Sequence, residues 1–364
     1  MEYDYLLGTI ERCDAQINKL FQKRMAAAEE LTRINNRMES IDETTGRQPA
    51  EDESRYEMET RFFQAMVKSL ENKHRYRILP ETSNIYEKNA NLDKSDVKIV
   101  CYQGLPCSYS ESAAKSLFKD AELTNRETFE DVFKAVYQGE AHMGIVPIEN
   151  STAGYINDVY DLLLRYDLFI NHTYVKKVDH CLAGIQETDL SSIREVCSHP
   201  QALAQCREFT KNSGYAEVTE INTAVAAQKT AMMNRKDLAC ICSEEAAEHY
   251  GLKILRTHIN HKEQNYTRFA AVSRRMAVEE DHNKVSIVFN VSHETGTLSE
   301  VLSTFAYYGC NLSYINSRPN LIKPWEYMFY LDFEGNLANR HIQSMLTQLK
   351  TELPYMKVLG SFKA

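Results

Sequence analysis

Along the middle of the chain, small, hydroxylic and amide residues collect just after short β-rich runs. Gly104-Leu105-Pro106-Cys107-Ser108 follows Val97–Tyr102, Glu149-Asn150-Ser151 follows Gly144–Ile148, and Ser198-His199-Pro200-Gln201 follows Val196 and Cys197. Asn222-Thr223 precedes an alanine-rich helical stretch, and Ser243 follows the run Leu238–Cys242. In an open α/β sheet, ligands bind beyond the carboxyl ends of the strands. A helix N-terminus there adds unpaired N–H groups and about half a positive charge. Ser108, Asn150, Ser151, Gln201 and Thr223 therefore read as holders of an anion, carboxylates included. Residues of these types are also ordinary N-caps, each worth about 1 kcal/mol. The set asks for more than capping, because Glu149, His199 and Gln201 add polar groups that no cap requires.

A second constellation is Asn265-Tyr266-Thr267-Arg268-Phe269, which leads into the apolar run Ala270-Ala271-Val272. An arginine at a strand entrance is commonly a surface ion-pair partner; beside the Thr267 hydroxyl it is also a candidate cation facing a site. The chain carries no Gly-x-Ser-x-Gly, no Walker loop, no Gly-x-Gly-x-x-Gly and no His-Glu-x-x-His. Cys206, on the helix opened by Pro200, reads as packing. Cys240 and Cys242 lie one residue apart in an apolar run, which is not metal-ligand spacing. No metal or organic cofactor is indicated.

The elements that must position these groups follow from composition and periodicity. A length of 364 residues predicts two or three domains. Hydrophobic content of 43% and aromatic content of 10% are enough for packed cores and argue against a disordered or fibrous chain. A net charge of −9 disfavours nucleic-acid and membrane-surface partners. It leaves room for a small anion, whose site needs only a few local cations or amide dipoles. No apolar run approaches the roughly 18 residues of a membrane span, and Met1-Glu2-Tyr3-Asp4 does not open a signal peptide. Nine scattered cysteines predict reduced, mostly buried thiols and a cytoplasmic protein.

Residues 1–78 read as an all-α domain. Leu6, Ile10, Cys13, Ile17, Leu20, Arg24, Ala27, Leu31, Ile34 and Met38 follow an alternating spacing of four and three, the seam of a helix packed on other helices. The acidic stretch 39–60 reads as a solvated turn region, a second helix covers about 54–76, and 79–96 is a linker. Residues 97–276 alternate β-rich and helical runs, which predicts an α/β domain with mostly parallel sheet, as one large domain or two lobes. Residues 284–364 read strand, helix, strand, strand, helix, strand, the α+β ferredoxin-like order.

At these residues the middle domain resembles prephenate dehydratase. The matching pieces are Gly104-Leu-Pro-Cys-Ser-Tyr-Ser-Glu, Val146-Pro-Ile-Glu-Asn-Ser, Ser198-His-Pro-Gln-Ala-Leu, Tyr250-Gly-Leu and Asn265-Tyr-Thr-Arg-Phe, in the family's order. The resemblance implies two lobes around a cleft, like periplasmic binding proteins. It implies conversion of prephenate to phenylpyruvate, water and carbon dioxide in phenylalanine biosynthesis. Thr267 matches the family's threonine and would donate a hydrogen bond or proton to the departing hydroxyl; Glu149 and His199 are rival proton sources. Ser108, Asn150, Ser151, Gln201 and Thr223 would position the anion, and Arg268 would supply charge or fix the strand.

The last domain resembles the ACT regulatory domain that follows this enzyme, on Gly296-Thr297-Leu298-Ser and Asn316-Ser317-Arg318-Pro. That implies phenylalanine as an allosteric effector near Gly296, Thr297, Leu298, Asn311, Asn316, Ser317 and Arg318, and a homo-oligomer, dimer or tetramer. Asn316 stands where the family usually has Glu, which removes a carboxylate and predicts weaker or altered feedback. The N-terminal helices resemble a chorismate mutase domain. Arg24 matches its substrate-binding arginine, but Leu7 and Asn35 stand where the family has cations. Clamping a dianion depends on such cations, so a degenerate mutase retained for dimerisation is expected. A working bifunctional enzyme and a non-catalytic ACT-linked sensor are the alternatives.

Overall fold

The computed structural model describes residues 2–39, 67, 96–261, 264–320 and 326–364. The chain divides into two compact units, Met1–Pro80 and Glu81–Ala364.

In the first unit, helix α1 spans Glu2–Glu39. Of its expected seam, Leu6, Ile10, Ile17 and Leu20 are between 41% and 65% exposed. Arg24 is exposed as well, rather than turned into a helix interior as expected. The helix expected over 54–76 (Val67 apart) and the linker over 79–96 (Asp96 apart) lie outside the described residues.

The second unit begins with a mixed sheet. Its elements are β1 (Ile99–Gln103), α2 (Tyr109–Leu117), β2 (Glu122–Arg126), α3 (Phe129–Gln138), β3 (Met143–Asn150), β4 (Gly154–Tyr155), α4 (Asn157–Arg165) and β5 (Phe169–Lys177). The chain then crosses to a second sheet built from β6 (Cys181–Gly184), β7 (Glu195–Ser198), β8 (Ala216–Thr219), β9 (Leu238–Cys242) and β10 (Lys253–Arg256). Its helices are α5 (Pro200–Gln205), α6 (Arg207–Ser213), α7 (Thr223–Met233) and α8 (Glu244–His249). It returns as β11 (Tyr266–Ser273), which inserts between β5 and β3. The order is β5-β11-β3-β1-β2 in the first lobe and β10-β6-β9-β7-β8 in the second.

Neither sheet is mostly parallel, contrary to the expectation from alternation. β1 pairs parallel with β2 and β3, but β11 runs antiparallel to β3 and β5. Likewise β7 pairs parallel with β8 and β9, while β6 is antiparallel to β9 and β10. The cause is the double crossing: β6 and β11 enter their sheets from the side of the other lobe. The crossing segments are tied together. Asn260 Oδ1 accepts from the His180 amide at 2.8 Å, Asn260 Nδ2 donates to the Val178 carbonyl at 3.0 Å, and the Val178 amide donates to the Asn265 carbonyl at 2.8 Å. β9 is buried along its whole length, which is why its sequence is continuously apolar rather than alternating.

The last stretch folds as β12 (Lys284–Asn290), α9 (Thr297–Tyr307), β13 (Leu312–Pro319), β14 (Tyr327–Glu334), α10 (Arg340–Glu352) and β15 (Tyr355–Phe362), with sheet order β13-β14-β12-β15. β15 also pairs with β5 through Gly360 and Ile170, so this sheet continues that of the first lobe. A side chain at Gly360 would stand 2.2 Å from the Ile170 carbonyl oxygen, so the joint needs glycine there. The two faces of the C-terminal sheet have different partners. Leu331 and Phe333 pack with Val301, Phe305, Ile342 and Leu346 of α9 and α10. Met328 and Tyr330, on the opposite face by strand alternation, pack with Val159, Tyr160 and Leu163 of α4.

Candidate active site

A cavity of about 420 Å³ opens between the two lobes. The residues lining it include Ser108, Asn150, His199, Gln201, Thr223 and Thr267, six of the nine assigned from sequence to the catalytic and anion-binding set. Ser108, His199 and Asn222 are N-caps of α2, α5 and α7, accepting from the amides of Glu111, Gln201 and Val225. Three helix N-termini therefore meet one cavity. The described lining residues include no lysine or arginine, so a carboxylate here meets amide groups and helix ends rather than a cation. Gly104, at φ 106°, turns the chain off β1; a side chain there would lie 3.4 Å from the Ser108 side chain and 3.8 Å from Asn222 Nδ2.

The hydrogen bonding of Asn150 fixes the role of Thr267. Asn150 Oδ1 accepts from the Thr152 amide (3.0 Å), the Ala153 amide (3.0 Å) and Thr152 Oγ1 (2.7 Å). All three are donors there, so the other end of the amide is Nδ2, and it donates to Thr267 Oγ1 and Asn265 Oδ1, both at 2.9 Å. Thr267 Oγ1 thus accepts from Asn150, and its own hydrogen is left to point into the cavity.

His199 is neutral at pH 7, because burial pushes its pKa below the usual imidazole value. Its Nδ1 accepts from the Gln201 amide at 3.2 Å, which puts the ring hydrogen on Nε2.

Three of the assigned residues are elsewhere. β11 pairs Thr267 with Asn150 and Arg268 with Glu149. Consecutive strand residues point to opposite faces, so if Thr267 and Asn150 face the cleft, Arg268 and Glu149 face away from it. They form a 3.5 Å ion pair behind the sheet, where both act on Tyr155 and the buried Asp332 of β14 and Glu149 also acts on Tyr314. Glu149 as proton source and Arg268 as substrate cation are therefore corrected. Ser151 is exposed and fastens the start of β11: its amide donates to the Tyr266 carbonyl (2.8 Å) and its Oγ accepts from the Tyr266 amide (2.9 Å).

The prephenate dehydratase family model matches residues 100–277, the stretch that builds both lobes. Arogenate dehydratase/prephenate dehydratase 2, a chloroplastic protein of Arabidopsis thaliana, is 34% identical over 296 residues, covering 78% of each chain. This chain belongs to the prephenate dehydratase family. A bifunctional chorismate mutase/prephenate dehydratase of Enterobacter agglomerans is 33% identical over 286 residues, covering 76% of this chain and 74% of the relative. Among solved structures, a prephenate dehydratase from Arthrobacter aurescens in complex with L-Phe aligns with a TM-score of 0.69 at 27% identity. That alignment covers 73% of this chain and 90% of the other. This chain shares with that structure its two-lobed, periplasmic-binding-protein-like fold.

The dehydratase cleft also holds residues that sequence reading missed. His180, on the first crossing segment, is 2% exposed, and burial lowers its pKa to about 4. Its Nε2 donates to Gln205 Oε1 (3.2 Å), which also accepts from Asn265 Nδ2 (3.0 Å); its Nδ1 lies 3.3 Å from the Tyr109 hydroxyl. Gln205 Nε2 donates to Thr152 Oγ1 at 2.9 Å. Thr267, Asn150, Asn265, Gln205 and His180 thus form one polar chain across the lobe junction. Cys206, read as packing, is fully buried in the second lobe's core, and burial pushes its thiol up to about 12.

Behind the dehydratase lobe, the residues assigned to an effector do not gather on one face. Asn316 Nδ2 donates to Asn157 Oδ1 (3.1 Å) and Arg318 pairs with Asp161 Oδ2 (2.6 Å), both partners on α4. Gly296, Thr297 and Leu298 open α9 on the other face of the sheet; Gly296 has φ 91° and Thr297 Oγ1 donates to the Ser292 carbonyl (2.9 Å). Ser317 is exposed, and Asn311 Nδ2 donates to Glu334 Oε1 (3.0 Å).

Proposed function

We propose that the cleft takes prephenate and releases phenylpyruvate, water and carbon dioxide. The ring carboxylate leaves as carbon dioxide, its bonding electrons enter the ring, and the C–O bond to the ring hydroxyl breaks as that oxygen gains a proton. Aromatisation drives the change; the protein holds the anion and eases departure of the hydroxyl. The observation that carries this reading is the Asn150 bond to Thr267 Oγ1, which leaves the threonine hydrogen to the cleft. A threonine hydroxyl is a weak acid, so Thr267 is a positioned donor, with His199 Nε2–H as the second. A sensor that only binds has no need of a donor at the departing group.

The test is Thr267→Ala beside Thr267→Ser. Alanine lowers kcat by about 10²–10³-fold with KM little changed, and serine keeps most of the activity. An alanine variant with the parent's kcat would sink the site assignment. Arogenate, run in parallel, separates the two substrates.

We also infer that residues 284–364 are an ACT domain through which phenylalanine inhibits. Support comes from the βαββαβ order and the resemblance at Gly296-Thr-Leu and Asn316-Ser-Arg-Pro. The N-terminal helices are read as a dimerising element without mutase activity, supported by Leu7, Asn35 and the exposed apolar stripe of α1. Supplying chorismate yields no phenylpyruvate on this reading, and removal of residues 1–78 reduces the oligomer. The free thiols support a cytoplasmic, reducing location.

A further inference from the structure

The segment 274–283 that joins β11 to β12 is held in one shape by two buried or half-buried amides. Asn171 Nδ2 donates to Ser273 Oγ (2.7 Å) and the Arg275 carbonyl (2.8 Å), and its Oδ1 accepts from the Ala277 amide (2.7 Å). Asn336 Nδ2 donates to the carbonyls of Glu279 (2.8 Å), Glu280 (3.2 Å) and His282 (2.8 Å). This fixed backbone brings Glu279 and His282 against His172 of β5. One ligand-type atom from each of the three lies within 4.8 Å of the other two. His172 and His282 are 7% and 4% exposed, while the Glu279 side chain is 34% exposed.

Two imidazoles and one carboxylate are the donor set of a Zn²⁺ site with one open position. We propose that His172, Glu279 and His282 bind Zn²⁺, with solvent as the fourth ligand on the side of Glu279. Metal–ligand bonds of about 2.0–2.2 Å need the three atoms closer together than they stand here. His282 Nε2 is 3.8 Å from Glu279 Oε2, and closing the set takes rotation of the partly exposed Glu279 side chain together with small shifts of the two imidazoles. Coordination through Nε2 places the His282 proton on Nδ1, which then donates to Ser361 Oγ, 3.2 Å away. The long contact from the Glu279 amide to Nδ1, 3.4 Å, is given up. Ser361 lies on β15 and His172 on β5, the two strands that meet at Gly360 and Ile170. The ion therefore fastens the connecting segment to the joint between the catalytic lobe and the C-terminal sheet. This holds whichever substrate the cleft takes.

The test uses the untagged full chain, stripped with a chelator and titrated with Zn²⁺ by calorimetry and with Co²⁺ by visible absorption. One tight site per chain and a melting temperature raised by Zn²⁺ are expected. Glu279→Gln and His282→Gln abolish that site while leaving the metal-free melting temperature near the parent's. Ser361→Ala weakens it by about 10–100-fold. Should His282→Gln fail to fold, Glu279→Gln decides alone, because its side chain reaches solvent. No saturable binding at one ion per chain, or binding that Glu279→Gln leaves unchanged, overturns the proposal.

Discussion

Asn150→Asp isolates the donor role of Thr267 with almost no change of shape. The Oδ1 side is untouched, since an aspartate oxygen accepts from Thr152 and Ala153 as well as the amide does. On the other side, an N–H₂ that supplies Thr267 Oγ1 (2.9 Å), Asn265 Oδ1 (2.9 Å) and the Tyr266 carbonyl (3.2 Å) becomes an acceptor. Thr267 satisfies the new carboxylate by turning its hydroxyl hydrogen toward it, which takes that hydrogen out of the cleft. Losing one preorganised donor costs about 2.7–4 kcal/mol in the transition state, or 10²–10³-fold in kcat. Two buried acceptors left facing a carboxylate add about 2–5 kcal/mol to the folding cost. Phenylpyruvate formation from prephenate is followed for kcat and KM, with urea unfolding in parallel to separate the two effects. Activity returns partly as pH falls through the carboxyl pKa, because the protonated acid donates to Thr267 again. A folded variant with kcat within a few-fold of the parent at pH 7.5 would refute the reasoning.

Three further outcomes follow from the buried charges. His180, held at about 4 by burial, refuses a proton that the unfolded chain accepts below about 6.5. Stability therefore falls as pH drops from 6.5 toward 4, by up to about 3 kcal/mol, and His180→Gln flattens that fall in urea titrations across the window. Asp332 has the opposite sign. Burial raises it to about 6, so its favourable contribution is complete below the unfolded value near 3.8 and is lost as pH rises through 6. Asp332→Asn, which still accepts from Ser286, stabilises the chain by up to about 3 kcal/mol at pH 8 and not at pH 4. Arg318→Gln breaks the half-buried pair with Asp161, costs about 1 kcal/mol, and on the proposed regulatory reading weakens phenylalanine inhibition more than it lowers kcat.

Ser108, His199, Gln201 and Thr223 were legible because helix starts beyond β-rich runs are local signals, and Asn150 because it ends such a run, whereas Thr267 was placed by the resemblance at Asn265–Phe269. Glu149 and Arg268 were misplaced by treating chain neighbours as site neighbours. The strand begins at Tyr266, ahead of the apolar run at Ala270, and its two-residue period sends Thr267 and Arg268 apart. His180, Gln205 and Asn265 left no such signal as a group. They are far apart in the chain, and only the double crossing brings them together. The apolar strands β1, β3, β7 and β9 were visible, whereas β2 and β8 are polar edge strands whose residues give no alternation.

One of the first lobe's two core clusters is completed from far along the chain, while the other is closed within the lobe. Val288, Met328, Tyr330, Leu359 and Phe362 belong to the same buried cluster as Val146, Ile148, Ala270 and Val272. The second lobe's cores draw on neither. The cooperative folding unit is therefore not the stretch that sequence marks as catalytic. The first lobe and the C-terminal sheet share a buried cluster, whereas the second lobe is held by clusters of its own, so hydrogen exchange is expected to group the first lobe with the C-terminal sheet. One wall of the cleft, built on β3 and β11, thus shares its buried cluster with β12 and β15 and not with β9.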